Sequence, residues 1–358
     1  MSSNDNSPIK GRGSASKPDA RYLSQTRESI EDGWDNQLEE TKLVTSVLPE
    51  KAKSIISRNQ SPDIPFTQSI NPYRGCEHGC IYCYARPAHA YMDLSPGLDF
   101  ESKLFYKEDA VKLLEKELAA KNYECSPIAL GSNTDPYQPI ERQYEITRQI
   151  IELLNQYQHP LTIVTKSSLV ERDIDLLAEM SRNNLLKVFI SVTTLNNDLM
   201  KNMEPRASAP VRRLQTLHKL HDAGIPTGIM FAPVIPFIND SEMETILERA
   251  AEAGVETAGY VLLRLPHEIK TLFREWLEHH YPLKAAHVMS LVQQSRGGKD
   301  YDSDFNQRLS GTGQFADMIK KRFANACKRL HINEGEQHHL DSTLFQRPVL
   351  QGQQFGLF

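Results

Sequence analysis

The sequence predicts an α/β protein built as a partial (β/α)6 TIM-like barrel, with a flexible N-terminal arm and a C-terminal α-rich extension. Three observations carry this. Six short apolar, β-branched runs alternate with stretches whose apolar residues recur at helical spacing. Strands in serial β–α order pair in parallel through helical crossovers, in a doubly wound sheet or a barrel. Polar or backbone-distorting residues then follow nearly every strand, as on the rim where barrels assemble their chemistry.

Residues 1–30 are rich in Ser, Gly, Asn, Asp and Lys and poor in large apolar groups, so they read as a flexible arm. An N-terminal extension over 31–65 leads into the barrel at 66–283. Its strands are expected at Phe66–Asn71, Ile128–Gly131, Leu161–Thr165, Val188–Val192, Gly228–Ala232 and Ala258–Leu263. Its helices are expected at Glu108–Lys121, Arg142–Tyr157, Val170–Arg182, Pro210–Ala223, Ser241–Ala253 with Ser241 as N-cap, and Glu268–His279. Beyond the strands come Ser132-Asn133-Thr134-Asp135, Lys166-Ser167, Thr193-Thr194, Pro233–Pro236 and Arg264. From Lys284 to residue 358 the rhythm breaks, with one helix expected at Gln314–Leu330. Residues 284–331 hold nine Lys and Arg against four Asp, a local excess of five positive charges.

The chain of 358 residues is 39% hydrophobic and 24% charged with net charge -5, which demands neither a nucleic acid nor a membrane. It has no apolar run of about 18 residues to span a bilayer, and the N-terminus has no apolar core of a secretory signal. Five cysteines, an odd number with three bunched, argue against a disulfide framework and for thiols kept reduced in the cytoplasm.

The bunched cysteines lie in NPYRGCEHGCIYCYARPAHAYM, residues 71–92, as Cys76-x3-Cys80-x2-Cys83. Gly75 and Gly79 permit a tight wrap, and the loop follows the first barrel strand onto the rim. Three thiolates from one loop can hold three irons of a cubane cluster and leave the fourth iron open. An electron-transfer ferredoxin would add a fourth cysteine. Structural zinc with His78 or His89 as fourth ligand is the competing reading, but zinc sites usually pair a C-x2-C knuckle with a distant second pair. Cys125 and Cys327 stand alone.

The cysteine spacing, the aromatic Tyr82 before the last cysteine and the six-fold β–α pattern resemble the radical SAM superfamily over residues 66–290. GSNTDPYQPIE (131–141), TKS (165–167), MEPRA (203–207) and APVIPFIND (232–240) look like the branch related to spore photoproduct lyase. KGRG near the N-terminus, DGWD (32–35) and the C-terminal RGG…F…R…G.G look like a little-characterised bacterial group within it. The resemblance implies a 4Fe–4S cluster on Cys76, Cys80 and Cys83. It also implies that the open iron binds S-adenosylmethionine and cleaves it reductively to a 5′-deoxyadenosyl radical, with an external electron donor such as flavodoxin or ferredoxin.

The same resemblance implies roles around the rim. Tyr82 packs by the adenine, and Ser132, Asn133, Thr134 and Asp135 meet the methionine amino group, although Asp135 before Pro136 is equally a turn residue. Lys166, Ser167 and Ser191 hydrogen-bond ribose hydroxyls or the carboxylate; a serine at a strand end also serves as a cap. Arg206 pairs the methionine carboxylate bidentately, or forms a surface ion pair with Glu204. Val234 and Ile235 contact adenine or pack the core. Arg264 faces substrate or a phosphate, or closes a structural ion pair. His267, His279, His280, His338 and His339 show no metal spacing and read as surface residues.

In the lyase proper, a cysteine outside the cluster returns a hydrogen atom to the product radical. Cys125 precedes the second strand and Cys327 lies on the tail helix, so both read as buried, inert thiols. The basic tail, with Arg296-Gly297-Gly298-Lys299 and Tyr301, either clamps a nucleic-acid backbone or closes the open side of the barrel through Phe305, Phe315, Ile319 and Phe323. The leading function is hydrogen abstraction from a substrate favoured to be a nucleic-acid base or nucleotide. The alternatives are a non-catalytic iron–sulfur carrier or redox sensor, and a zinc-stabilised nucleic-acid-binding module.

Overall fold

In a computed structural model the described residues are 8–23, 43–334 and 339–349. Ten strands are present: β1 (Ser46–Glu50), β2 (Ile56–Arg58), β3 (Gln68–Ile70), β4 (Tyr73–Arg74), β5 (Lys103–Lys107), β6 (Ile128–Leu130), β7 (Leu161–Thr165), β8 (Leu186–Ser191), β9 (Thr227–Val234) and β10 (Thr257–Leu262). The six expected barrel strands are β3, β6, β7, β8, β9 and β10. They pair in parallel in that order, and β2 adds antiparallel to the outside of β3. The sheet does not close; β10 and β2 are its edges. The fold is thus a partial (β/α)6 barrel. Buried β-branched and leucine residues on its strands form one continuous core with the surrounding helices, as parallel strands covered on both faces require.

β1, ahead of the barrel, joins β4 and β5, which lie between β3 and β6, in a second small sheet of order β1-β5-β4, which sequence periodicity does not reveal. Its strands are two to five residues long, and β1 is exposed at three of five positions, so it shows no apolar alternation. The expected helix over Arg142–Tyr157 is two helices, Glu141–Tyr144 and Ile146–Gln156, broken at Glu145 with φ +50°. The Glu141 carboxylate accepts from the backbone N–H groups of Thr147 and Arg148 (3.0 and 3.3 Å), so a side chain supplies the first acceptor of the second helix. Val170–Arg182 likewise begins as a 3-10 turn, and the following helix is Ile174–Arg182. Ser241 does not cap Met243–Glu252, because a 3-10 turn over Asp240–Glu242 precedes that helix.

The arm and the tail also differ from expectation. Residues 8–23 are not loose: Arg12, Gly13 and Ser14 are buried against the cysteine loop. Residues 1–7 and 24–42 lie outside the described residues, DGWD among them. Helix Pro282–Gln294 runs through the expected domain boundary at 283/284. With Ile269–His280 it forms a second apolar cluster that includes Cys80, Ile81 and Tyr82. Helix Gly313–Arg329 packs Ala316 and Ile319 into the main core and Phe323 against Tyr260, with ring centroids 4.7 Å apart. Leu309 O, ahead of that helix, accepts from the Leu262 N–H at the β10 edge (2.9 Å), and Phe305 remains exposed.

Candidate functional site

Because β3, β6, β7, β8, β9 and β10 run in parallel, the segments after them share one rim, and the cysteine loop is the first of these. Gly75 and Gly79 take left-handed φ values of +76° and +68°, which a side chain would strain, and a Cβ at Gly79 would lie 2.6 Å from Glu101 Oε2. Cys76 and Cys80 are buried, Cys83 is half-buried, and all three are free thiols. Burial first, and then neighbouring acidic groups, hold the Cys76 thiol well above its usual value. Burial pushes Cys80 up to about 12 even though the Lys166 ammonium opposes the shift. Burial thus disfavours the thiolate form of Cys76 and Cys80, and binding a metal would have to displace those protons.

The loop is fastened from four directions. Arg86, fully buried, donates to the carbonyls of Gly79 (3.0 Å), Cys80 (2.8 Å) and Gly97 (2.9 Å) and pairs with the Glu101 carboxylate at 2.5 Å. Glu101 also accepts from the backbone N–H groups of Gly13 and Ser14, both at 2.9 Å. Arg12 reaches over to donate to the Glu101 carbonyl and to Thr45, and Thr45 donates to Glu77. KGRG is therefore a strap across the back of the loop.

GSNTDPYQPIE supplies the second fastening. Thr134 and Gln138 donate to the Gly75 carbonyl (2.7 and 3.1 Å), and Gln138 accepts from the Glu77 N–H at 2.8 Å. Asp135 accepts from Thr165 Oγ1 (2.6 Å), the Lys166 N–H (2.8 Å) and the Tyr137 N–H (2.9 Å), with His78 Nδ1 3.3 Å away at ion-pair distance but without hydrogen-bond geometry. Burial disfavours its charge, yet the facing His78 and these donors bring Asp135 down to about 2. Thr134 and Asp135 are thus engaged within the protein, contrary to the expectation that they meet a methionine amino group. Ser132 shares its hydroxyl with the Asn71 amide (3.1 Å), and Asn133 is exposed.

MEPRA forms the third wall. Met203 O accepts from the Ile81 N–H (3.0 Å) and His78 O from the Arg206 N–H (3.3 Å). The Tyr82 hydroxyl donates to the buried Glu204, which also pairs with the buried Arg213 and accepts from Thr193 at 2.8 Å. Arg206 pairs with Glu77 and donates to Gly11 O (3.2 Å). This corrects both expectations for Arg206: it is not left free for a carboxylate, and its partner is not Glu204. Arg86, Glu101, Arg213 and Gln138 carry the loop without having been singled out, and Glu204 was named only as a surface partner for Arg206; Arg86, Glu204 and Gln138 lay inside quoted motifs but had no period or spacing to betray this role.

The fourth side is apolar. Ile235 is fully buried in the same cluster as Ile81 and Tyr82, and its N–H donates to Asn239 Oδ1 at 2.7 Å. Val234 instead faces the extension, lining a cavity of about 10 Å³ with Leu262, Val292, Arg296 and Phe315, so it packs the core. Ser167 caps the 3-10 turn through the Leu169 N–H (3.2 Å), and Ser191 is buried with its carbonyl accepting from Arg213 (3.0 Å). Lys166 is a rim cation without a carboxylate: its ammonium lies 5.8 Å from the Tyr82 ring centroid and makes no ion pair among the described residues. Burial works against its charge, but the Cys80 sulfur and Glu204 hold it above its ordinary value.

The donor set is three free thiols from one loop. One zinc gathers its sulfurs within about 2.3 Å of itself. In a cubane each thiolate meets a separate iron. His89, the other zinc candidate, approaches Lys103 O through Nε2 at 2.9 Å, and burial lowers it to about 4. Cys125, just before β6, and Cys327, in the core, are both raised to about 11 by burial, in line with inert thiols. His267, His279, His280 and His339 join no metal set, and His338 lies outside the described residues.

Three arginines of the basic tail pair with carboxylates elsewhere in the chain: Arg308 with Asp63, Arg322 with Glu244 and Arg329 with Glu248. Arg296, in the segment read as either clamping a nucleic acid or closing the barrel, is buried and donates to the carbonyls of Leu262, Leu263 and Gln307. It fastens the extension to the end of β10.

A rim-bound loop of three free thiols on a partial parallel barrel defines a class of cluster-carrying barrel proteins. The profile of the radical SAM superfamily matches residues 70–250, and the chain belongs to that superfamily. An uncharacterized protein of Mycobacterium tuberculosis is 34% identical over 221 residues, 61% of this chain and 65% of the relative. The chain therefore spans just under two thirds of that relative's length. A spore photoproduct lyase of Clostridium acetobutylicum is 24% identical over 184 residues, half of each chain. The fold is shared with a solved spore photoproduct lyase variant with bound AdoMet and dinucleoside spore photoproduct, at a TM-score of 0.52 and 15% identity over 79% of this chain and 78% of that one. Among the described residues no helix is long and apolar enough to cross a membrane.

Proposed function

We propose that the protein is a radical SAM enzyme holding a 4Fe–4S cluster on Cys76, Cys80 and Cys83 and acting on a nucleic-acid base or nucleotide. The bound cluster, reduced by an external donor such as flavodoxin or ferredoxin, would supply reductive cleavage of S-adenosylmethionine to a 5′-deoxyadenosyl radical for hydrogen abstraction. The observation that carries this reading is the loop itself: three free thiols, wrapped at Gly75 and Gly79 and fastened on every side, with no fourth cysteine beside them.

The chain's own residues divide the remaining work. Arg86 and Glu101 hold the loop's carbonyls and strap, so that its thiols face the rim in fixed register. Tyr82, locked by its hydroxyl to Glu204, presents an apolar face for adenine beside Ile235. With Arg206 engaged by Glu77, Lys166 is the cation left to take the methionine carboxylate. Ser132 and Asn133 remain for polar contacts at the amino group. The nucleic-acid assignment draws on the likeness to spore photoproduct lyase and on the uncompensated charge at the barrel mouth described below.

Anaerobic reconstitution with iron and sulfide, followed by dithionite and S-adenosylmethionine, tests the reading. Wild type is expected to produce 5′-deoxyadenosine and Cys80→Ala none. Equal, background yields from both would refute it, and a colourless zinc-loaded protein would favour a structural metal.

A further inference from the structure

We infer that Arg264, between the rings of Tyr84 and Tyr301 at the barrel mouth, anchors a phosphate of a nucleotide-containing substrate. The inference rests on the proposed radical chemistry, because the site adjoins the loop that would hold the cluster: Tyr84 directly follows Cys83.

Arg264 stands two residues beyond β10, on the same rim as the cysteine loop. Its guanidinium carbon lies 5.2 Å from the Tyr84 ring centroid and 6.0 Å from that of Tyr301, and Nη2 donates to the Tyr301 hydroxyl at 3.4 Å. Nε is buried without a hydrogen-bond partner, and among the described residues Arg264 makes no ion pair. The neighbouring cations do not relieve this charge. Arg296, bound to the carbonyls just before Arg264, has only neutral partners, and Arg308 already takes Asp63. Burial first, and then repulsion from Arg264, lowers Arg296 to about 10, with Asp302 opposing the shift, so the two guanidiniums stand close together.

A buried N–H and an unpaired guanidinium are costly unless an anion completes them. The rest of the tail shows how the protein normally settles such charges: Arg308, Arg322 and Arg329 each meet a carboxylate. The planar guanidinium fits a phosphate or a carboxylate equally. The rings decide between them. Tyr84 is 48% exposed, leaving an aromatic face open beside the cation, which suits a base stacked next to its phosphate.

The test uses the full chain, reconstituted anaerobically with cluster and S-adenosylmethionine, and a fluorescein-labelled thymidine dodecamer followed by anisotropy. Wild type is expected to bind it, Arg264→Glu at least tenfold more weakly, and Arg264→Lys in between. Arg264→Glu should also lose about one unit of salt dependence, whereas Arg264→Lys, still a cation, should keep it. Lys321→Glu, on an exposed position of helix Gly313–Arg329, should bind as wild type does. Cluster absorbance checks folding, and Arg264→Lys carries the test if Arg264→Glu fails to load its cluster. No binding by wild type, equal binding by both Arg264 variants, or competition by hexaglutamate as strong as by unlabelled dodecamer would each overturn the inference. If wild type yields 5′-deoxyadenosine while any of these holds, only the phosphate anchor fails; if it yields none, the radical reading fails first.

Discussion

Gly13 has room for a hydrogen atom and nothing larger, because a Cβ there would fall on the Gly79 carbonyl oxygen in the middle of the cysteine loop. A backbone contact cannot yield as a flexible side chain can, so the strap or the loop must move. Gly13→Ala is expected to cost about 1–3 kcal/mol of stability, by the usual penalty of overpacking, and to loosen the metal site. Thermal melting and iron retention under a chelator check this; a variant that melts with wild type and keeps its iron would show that the strap is not seated as described. Composition alone reads residues 1–30 as loose, since small and polar residues cannot bury apolar area. What seats residues 12–14 is polar: Arg12 on the Glu101 carbonyl and two amides on its carboxylate, none of which leaves a hydrophobic trace in sequence. Arg206 shows the converse. Its residue type suits a ligand carboxylate, but only the fold could bring Glu77 to it.

Helix Pro210–Asp222 is joined to the cysteine loop by a single buried chain of contacts, Arg213 to Glu204 to Tyr82. Arg213 also holds the carbonyls of Ser191 (3.0 Å) and Ser208 (2.7 Å), so its loss frees a strand end and a loop together. Removing one partner of such a pair leaves a buried charge, and Arg213→Met is expected to lose about 3–5 kcal/mol. Adding Glu204→Gln should recover part of that loss, because the stranded carboxylate is gone. Urea denaturation of the single and double variants measures both; a double variant no better than Arg213→Met would mean that Glu204 is not left uncompensated. At this scale the barrel strands were readable, since each carries a short β-branched run whose pairing partners lie along the same sheet. The small β1-β5-β4 sheet was not, because strands of two to five residues with exposed faces have no period to detect.

Over the whole molecule, stability should depend on pH through histidines buried in the neutral form. His159 is fully buried, with Nε2 2.7 Å from the Tyr123 hydroxyl, and burial lowers it to about 4 from 6.5. A depressed histidine is protonated in the unfolded chain first. Its stabilising contribution is full above pH about 6.5 and is lost as the pH falls towards 4, about 2 kcal/mol by pH 5. His89, lowered to about 4 by the same cause, adds in the same direction. Urea midpoints at pH 7.5 and pH 5 should therefore differ, and His159→Gln should narrow the gap. An unchanged gap would assign the pH dependence elsewhere. The tail belongs to this scale as well. It covers the β10 edge through Leu262 N–H to Leu309 O (2.9 Å) and through Asn333, which pairs with Ala258 at both N–H and C=O (2.9 Å each).

The sequence by itself determined the six parallel strands and the loop of three thiols, because periodicity and spacing are local and survive without the fold. It also made the radical SAM resemblance visible, through motifs that lie wholly within short segments. The tertiary structure alone decided which polar side chains hold the loop and which remain open to a ligand. Asp135, Thr134 and Arg206 are engaged by partners up to 195 positions away in sequence, whereas Lys166 and Arg264 are left without carboxylates among the described residues. Charge pairing depends on distance in space, which no local pattern encodes.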